Sequence, residues 1–495
     1  MSLDALLLAG AVVLLLAVLS ARLGSRLGLP SLLLFLALGM ALEPFGIRLD
    51  NAALAHSLGF AALVFILAEG GLTTRWEDIR GSLRLAALLA TFGVVVSVAV
   101  VALFCHFVLG MAVPLAVLVG AITAPTDSAA VFAVLRTVPL PPHIRSVLEG
   151  ESGLNDAPIV LFVGVATSWA IGELPEGGPL VIAGLVLVEL IGGTLLGLLI
   201  GFAGRWVLQR LGLSASGLFV LAVMGVIVLA YGLGILVHVS GFAAVYVCSV
   251  VLGNGTLPFR NATRSFAEGI GWISQIGLFV MLGMLAVPSR FSPATIGEGL
   301  VIGVFLTFVA RPLSVAACAI WFRMPWREQA FVSWAGLRGA VPIIMATVPL
   351  AAGVDHAGRT FDEVIIFVIV FTILQAPTLG WAARKLGITS GEDPLDIEVE
   401  VAPLDRIQAD FMQIKVPADS RLHGVTIQEL RLPRLTVVAV IIRDGNPIPV
   451  DARARIRSGD ELLVVLPSRA RKAVEQRFRR VGRRGRLASW LPEGR

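Results

Sequence analysis

Thirteen apolar runs near the length of a bilayer span constrain this chain more than any other feature. They fall at about 4–21, 30–46, 56–71, 85–109, 113–135, 147–172, 180–204, 215–232, 236–253, 266–287, 297–321, 329–351 and 363–382. Hydrocarbon offers no water to unpaired backbone groups, so such runs fold as membrane-crossing helices. Composition agrees: 57% of residues are hydrophobic and 15% charged, against about half and a quarter in soluble domains. The formal charge of +5 is small, and no basic face is gathered that would bind nucleic acid. Cys105, Cys248 and Cys318 all lie in apolar runs. They read as small core hydrophobes, with neither a disulfide framework nor zinc spacing.

The loops test the count independently. Those after odd-numbered runs hold thirteen arginines, among them Arg22, Arg75, Arg136, Arg205, Arg260 and Arg323; those after even-numbered runs hold only Arg48, Arg290 and Arg359. Basic loops stay cytoplasmic. The N-terminus is then outside a cell (inner) membrane and the C-terminus inside. The expected fold is an all-α polytopic membrane unit over 1–388, followed by an acidic linker over 389–407 that carries Asp393, Asp396, Glu398, Glu400 and Asp405. A small α+β cytoplasmic unit is expected over 408–478. Its strands are Phe411–Val416, Leu435–Arg443 and Glu461–Val465, with a tight turn at Asp444-Gly445 and helices at Thr426–Leu430 and Ser468–Arg479. A basic tail follows over 479–495.

Polar residues interrupt the apolar pattern at three places. The fifth run contains Thr123-Ala124-Pro125-Thr126-Asp127-Ser128. Its proline removes a backbone hydrogen bond and its hydroxyls offer competing ones, which predicts a broken helix whose freed carbonyls line a cavity. The sixth run carries Glu151, Ser152, Asn155 and Asp156. Residues four apart share a helix face, so Ser152 and Asp156 are placed to grip one small cation with hard oxygen ligands. A lone carboxylate out of water must be neutralised, by a proton or by a cation. Competition for Asp156 is the minimum chemistry of an antiporter. The twelfth run contains Gly336-Leu337-Arg338-Gly339-Ala340-Val341-Pro342, which predicts a second broken helix. Arg338, and Arg311 in the eleventh run, stay charged and need partners; Glu151 is the expected partner of one of the two. Interruptions at matching places in two halves point to an inverted-repeat transporter. Glu69 ends the third run, where it either meets headgroup water or takes cations from the cytoplasmic side.

Together these motifs resemble the cation:proton antiporter 1 family in its NhaP-type branch, over about 1–390. The resemblance implies a thirteen-helix inverted-repeat fold with core and dimerisation domains, and a homodimer. It implies cation contacts from Thr126, Ser152 and Asp156, with Asp127 and Glu69 as further candidates, and a structural group of Glu151, Arg311, Arg338 and Asn155. Asn155-Asp156 in place of two acids resembles the electroneutral members. Ser128 departs from the proline that many relatives carry there. Residues 408–478 resemble the C-terminal half of the regulator-of-potassium-conductance domain, the TrkA-C unit, through Gly424–Leu430 and Gly459–Val465. Antiporters of this build resemble the potassium/proton branch, so potassium is favoured over sodium as the partner ion of the proton. No cofactor is implied, and no Gly-x-Gly-x-x-Gly half precedes the unit to bind NAD; a small nucleotide stands as a candidate ligand. A gated potassium channel is the alternative from another class. It needs a filter such as Thr-Val-Gly-Tyr-Gly, and neither Tyr231 nor Tyr246 lies in such a run.

Overall fold

A backbone amide among apolar side chains must find its partner within its own segment, and the first unit of the computed structural model, Met1–Thr389, is accordingly helical. The structure describes residues 3–27, 30–43, 49, 51–127, 130–131, 138–173, 178–213, 215–389, 398–404, 409–417, 420–443, 445–451, 453–467 and 470–485. Ser128, Arg48, Arg136, Asp393, Asp396, Asp405 and Asp444, part of the basic tail and the first two residues of the expected last helix lie outside the described residues.

In chain order the helices are α1 (Leu3–Leu27), α2 (Ser31–Met40) and α3 (Ala52–Thr73). Then come α4 (Leu83–Phe107), which contains a π turn at Leu89–Gly93, and α5 (Val113–Thr123). They are followed by α6 (Pro142–Leu154), α7 (Asp156–Ala170), α8 (Gly178–Arg210), α9 (Ser216–Leu236) and α10 (Gly241–Gly253). The unit closes with α11 (Arg260–Leu285), α12 (Pro293–Phe322), α13 (Trp326–Trp334), α14 (Ala340–Ala351) and α15 (Ala357–Leu386). Among the described residues, seven helices are long and apolar enough to cross a membrane by length and composition: α3, α4, most of α8, α9, α11, α12 and α15. Shorter apolar helices include α2, α5, α10 and α14.

Local chemistry sets several starts. Asn51 caps α3 by accepting from the Leu54 amide, and Ser292 does the same for α12 with the Thr295 amide. Two expected helices are interrupted as predicted. The fifth run stops at Thr123, because Pro125 has no amide to give and its ring crowds the preceding turn. The twelfth run divides into α13 and α14 around residues 335–339. The sixth run also divides, at Asn155, which ends α6 and precedes α7.

Phe35, Leu63, Leu118, Ile122, Phe279, Phe331 and Phe361 are fully buried in this unit. The three cysteines are buried thiols. By contrast, Leu15, Leu19, Val188, Leu195, Leu199 and Leu221 face outward, an apolar exterior suited to lipid.

The second unit, Ser390–Arg495, is an antiparallel sheet of order β1-β2-β5-β3-β4 with one helix packed on it. The strands are β1 (Glu398–Leu404), β2 (Ala409–Lys415), β3 (Val437–Arg443), β4 (Asn446–Pro449) and β5 (Glu461–Pro467), and the helix is α16 (Arg471–Arg484). Met412 and Ile414 of β2, Ile441 of β3, and Leu462 and Val464 of β5 share one buried core with Val474, Phe478 and Val481 of α16. The sequence expectation needs two corrections here. Residues 398–404, assigned to the linker, pair along their whole length with β2, from Glu398↔Lys415 to Leu404↔Ala409. The segment 426–430 is not an α-helix but a bridge at Thr426 and a 3-10 turn at Gln428–Leu430.

Candidate functional site

The two interruptions meet each other. The Asp127 amide donates to the Leu337 carbonyl at 2.9 Å, which joins the break after α5 to the break before α14. Each break leaves a helix end with unpaired groups and a partial charge, negative at the C-terminus of α5 and positive at the N-terminus of α14. A side chain from the opposite break answers each. Arg338 donates from Nε to the Thr123 carbonyl and from Nη2 to the Ala124 carbonyl, both at 3.3 Å, and from Nη1 to the Gly336 carbonyl. Asp127 Oδ2 accepts from the Ala340 amide at 3.2 Å. Gly339 is required between them, because a Cβ there would overlap the Asp127 carboxylate. Thr372 of α15 completes the frame by donating to the Arg338 carbonyl at 2.6 Å.

Glu151 pairs with Arg311 and not with Arg338. The bond is bidentate, at 2.5 Å from Nη1 and 2.8 Å from Nη2, and both side chains are almost wholly buried. The expected ion-pair group is therefore corrected in two respects. Arg338 binds backbone carbonyls at a helix end, and Asn155 belongs to the polar group described next.

Thr126, Ser152, Asn155 and Asp156 are each 1–2% exposed. The Thr126 and Ser152 hydroxyls lie 3.0 Å apart, and Asn155 Nδ2 donates to Thr126 Oγ1 at 2.8 Å. These contacts tie the broken fifth run to the junction of α6 and α7. Among the described residues, Asp156 Oδ1 and Asn155 Oδ1 have no hydrogen-bond partner. Asp127 lies within electrostatic reach of Asp156. Buried carboxylate, amide and hydroxyl oxygens are hard donors, the chemistry that suits an alkali cation. Glu69 stands elsewhere on α3, half-buried with its carboxylate against Gly271 of α11.

Sequence reasoning missed Thr372 and the carbonyls of Thr123 and Ala124. A lone threonine in an apolar run gives no spacing signal, and carbonyls carry none. It also passed over Glu298, Arg359 and Glu363. Here a signal was present, since Arg359 and Glu363 are four apart at the start of the last run.

A buried carboxylate beside crossing broken helices is the arrangement of a membrane transporter. A family model described as "Sodium/hydrogen exchanger, transmembrane" matches residues 11–385, and one described as "TrkA-C domain" matches 411–479. The K(+)/H(+) antiporter NhaP2 of Shewanella oneidensis is 32% identical over 487 residues, covering 96% of this chain and 84% of the relative. The K(+)/H(+) antiporter NhaP of Alkalimonas amylolytica is 34% identical over 452 residues, covering 88% and 76%. The sodium proton antiporter MjNhaP1 of Methanocaldococcus jannaschii shares the fold, with a TM-score of 0.66 at 22% identity over 78% of this chain and 99% of that one. The chain belongs to the sodium/hydrogen exchanger family, with a C-terminal TrkA-C domain. It is a cation/proton antiporter, a secondary transporter rather than an enzyme.

Proposed function

We propose that this protein exchanges potassium for protons across a cell (inner) membrane by competition at Asp156. One observation carries the reading: among the described residues Asp156 Oδ1 is buried without a hydrogen-bond partner, next in the chain to Asn155, whose side chain is tied to Thr126 and through it to Ser152. A proton neutralises that carboxylate by forming an O–H. A potassium ion neutralises it while drawing on the neighbouring oxygens. Each excludes the other, so the site carries one or the other as it faces the two sides in turn.

The remaining charges have fixed duties in this reading. Glu151 is committed to Arg311, and Arg338 and Asp127 to the helix ends. Asn155 stands where a second acid would add charge. The exchange is then one proton for one monovalent cation, and electroneutral. Potassium is preferred because the relatives at 32% and 34% identity are named potassium/proton antiporters. Glu69 is a further cation contact on the route to the site. The membrane unit has thirteen spans in two inverted halves, its N-terminus outside and its C-terminus in the cytoplasm, and works as a homodimer. The TrkA-C unit regulates exchange, with a small nucleotide as its candidate ligand.

The test is dequenching of a pH-sensitive dye in everted vesicles, with potassium and sodium compared across pH. Asp156→Asn should abolish cation-dependent proton movement while the protein remains folded. Full activity in that variant would remove Asp156 from the mechanism. A larger response to sodium than to potassium would reverse the ion preference.

A further inference from the structure

A second charged group stands apart from the exchange site. At the start of α15, Arg359 donates from Nε to Glu363 Oε1 at 3.1 Å and from Nη2 to Glu298 Oε1 of α12 at 2.5 Å. The three side chains grade from surface to core: Arg359 is 45% exposed, Glu298 32% and Glu363 4%. Both carboxyl groups therefore meet at one guanidinium. One guanidinium balances one negative charge, which leaves the second carboxyl group to be neutralised by a proton.

Behind Glu363 lies a cavity of about 10 Å³, walled by Val119, Thr123, Gly299, Thr360, Glu363 and Phe367. That is room for about one water molecule. The cavity leads from the buried carboxyl to Thr123, the last residue of α5, whose carbonyl receives Arg338 Nε. Thr126 and Asp127 follow three and four residues later in the chain. The other groups facing Glu363 are few. The Cys105 thiol of α4 lies within electrostatic reach, Asp362 is turned to Arg290 at 3.5 Å, and α5 contributes Val119 and Thr123.

We infer that Glu298 and Glu363 form a proton relay joining one aqueous face to the crossing of the broken helices. A proton taken up by the half-exposed Glu298 carboxylate passes to Glu363, and from there by a water in the cavity toward Thr123 and the exchange site. Each transfer protonates one carboxylate as it deprotonates the other, and Arg359 holds the pair together throughout. The inference rests on the antiport reading above, in which α15 begins at the outer face.

The experiment uses full-length protein in oriented proteoliposomes. External pH is varied at fixed internal pH, and potassium dependence is measured alongside. Glu363→Gln and Glu298→Gln should each slow exchange limited by external protons on the order of a hundredfold, the low end of what positioned proton transfer contributes. The dependence on internal potassium should stay within about twofold of the wild type. Glu363→Asp, which keeps an acid, should recover part of the rate. An external pH profile unchanged in Glu298→Gln or Glu363→Gln overturns the relay, as does equal loss in the Asp and Gln variants at 363. If Glu363→Gln does not fold, the more exposed Glu298→Gln carries the same test. An active Asp156→Asn would instead overturn the antiport reading itself.

Discussion

Removing one member of the Glu151–Arg311 pair should destabilise the membrane unit more than removing both. The pair is bidentate at 2.5 and 2.8 Å, with side chains 2% and 4% exposed. Charge centres about 4 Å apart attract by roughly 4 kcal/mol at an effective dielectric constant near 20. Stranding one charge in the interior costs ~3–5 kcal/mol. Relief by rearrangement is blocked, because Gly336 packs against both guanidinium groups: a Cβ there would lie 2.8 Å from Arg311 Nε and 2.9 Å from Arg338 Nη1. Glu151→Gln also leaves Arg311 and Arg338 facing each other without an intervening anion, so its loss should fall at the upper end of that range. Arg311→Met strands the carboxylate alone. The double variant Glu151→Gln/Arg311→Met removes both charges and should cost less than either single, a recovery of at least ~3–5 kcal/mol relative to the sum of the singles. The assay is a double-mutant cycle on unfolding midpoints in a denaturing detergent titration, followed by tryptophan fluorescence. Strictly additive single losses would refute the argument, because they would mean that the two groups do not interact.

Two further predictions follow from the geometry. Gly339→Ala forces a methyl group into the Asp127 carboxylate, an overpacking worth ~1–3 kcal/mol. Exchange in vesicles should fall severely although the protein still reaches the membrane, and wild-type exchange would contradict the tight crossing. In the second unit, burial tends to raise the Asp460 carboxyl, but the two Arg443 bonds at 2.8 Å and the Arg457 amide at 2.7 Å outweigh it and hold it below its ordinary value. A depressed folded-state value stabilises the fold above the ordinary carboxylate range near about 3.9, and the stabilisation is lost as pH falls through the lowered value. Hydrogen exchange of β3 and β5 in the full chain should therefore quicken on acidification below that range, and Asp460→Asn should flatten the dependence.

The pattern of apolar runs and polar interruptions made the membrane unit legible, because a bilayer demands length and internal pairing from every span. The breaks at Pro125 and around Gly336–Gly339 were legible for the same reason: proline and glycine act locally. Partner choice was not legible. Arg311 and Arg338 both looked available to Glu151, and only the packing of α12 against α13 and the α5 break separates them. Asp127 was read as a cation ligand, but its hydrogen bond to Ala340 depends on a helix end 213 residues away in the chain. The opposite failure occurred at β1. Glu398-Val399-Glu400-Val401 alternates with the period of a strand, yet its acidity read as solvated linker. The neighbouring β2 supplies the pairing that no local signal announces.

The crossing of the two breaks has a consequence for inheritance. Arg338 closes the end of α5, and Asp127 closes the start of α14. Neither half of the membrane unit therefore holds a complete set of terminations for its own interrupted helix. A chimera that takes one half from a distant relative keeps working only if both loops travel together, so divergence must treat these two remote segments as one locus.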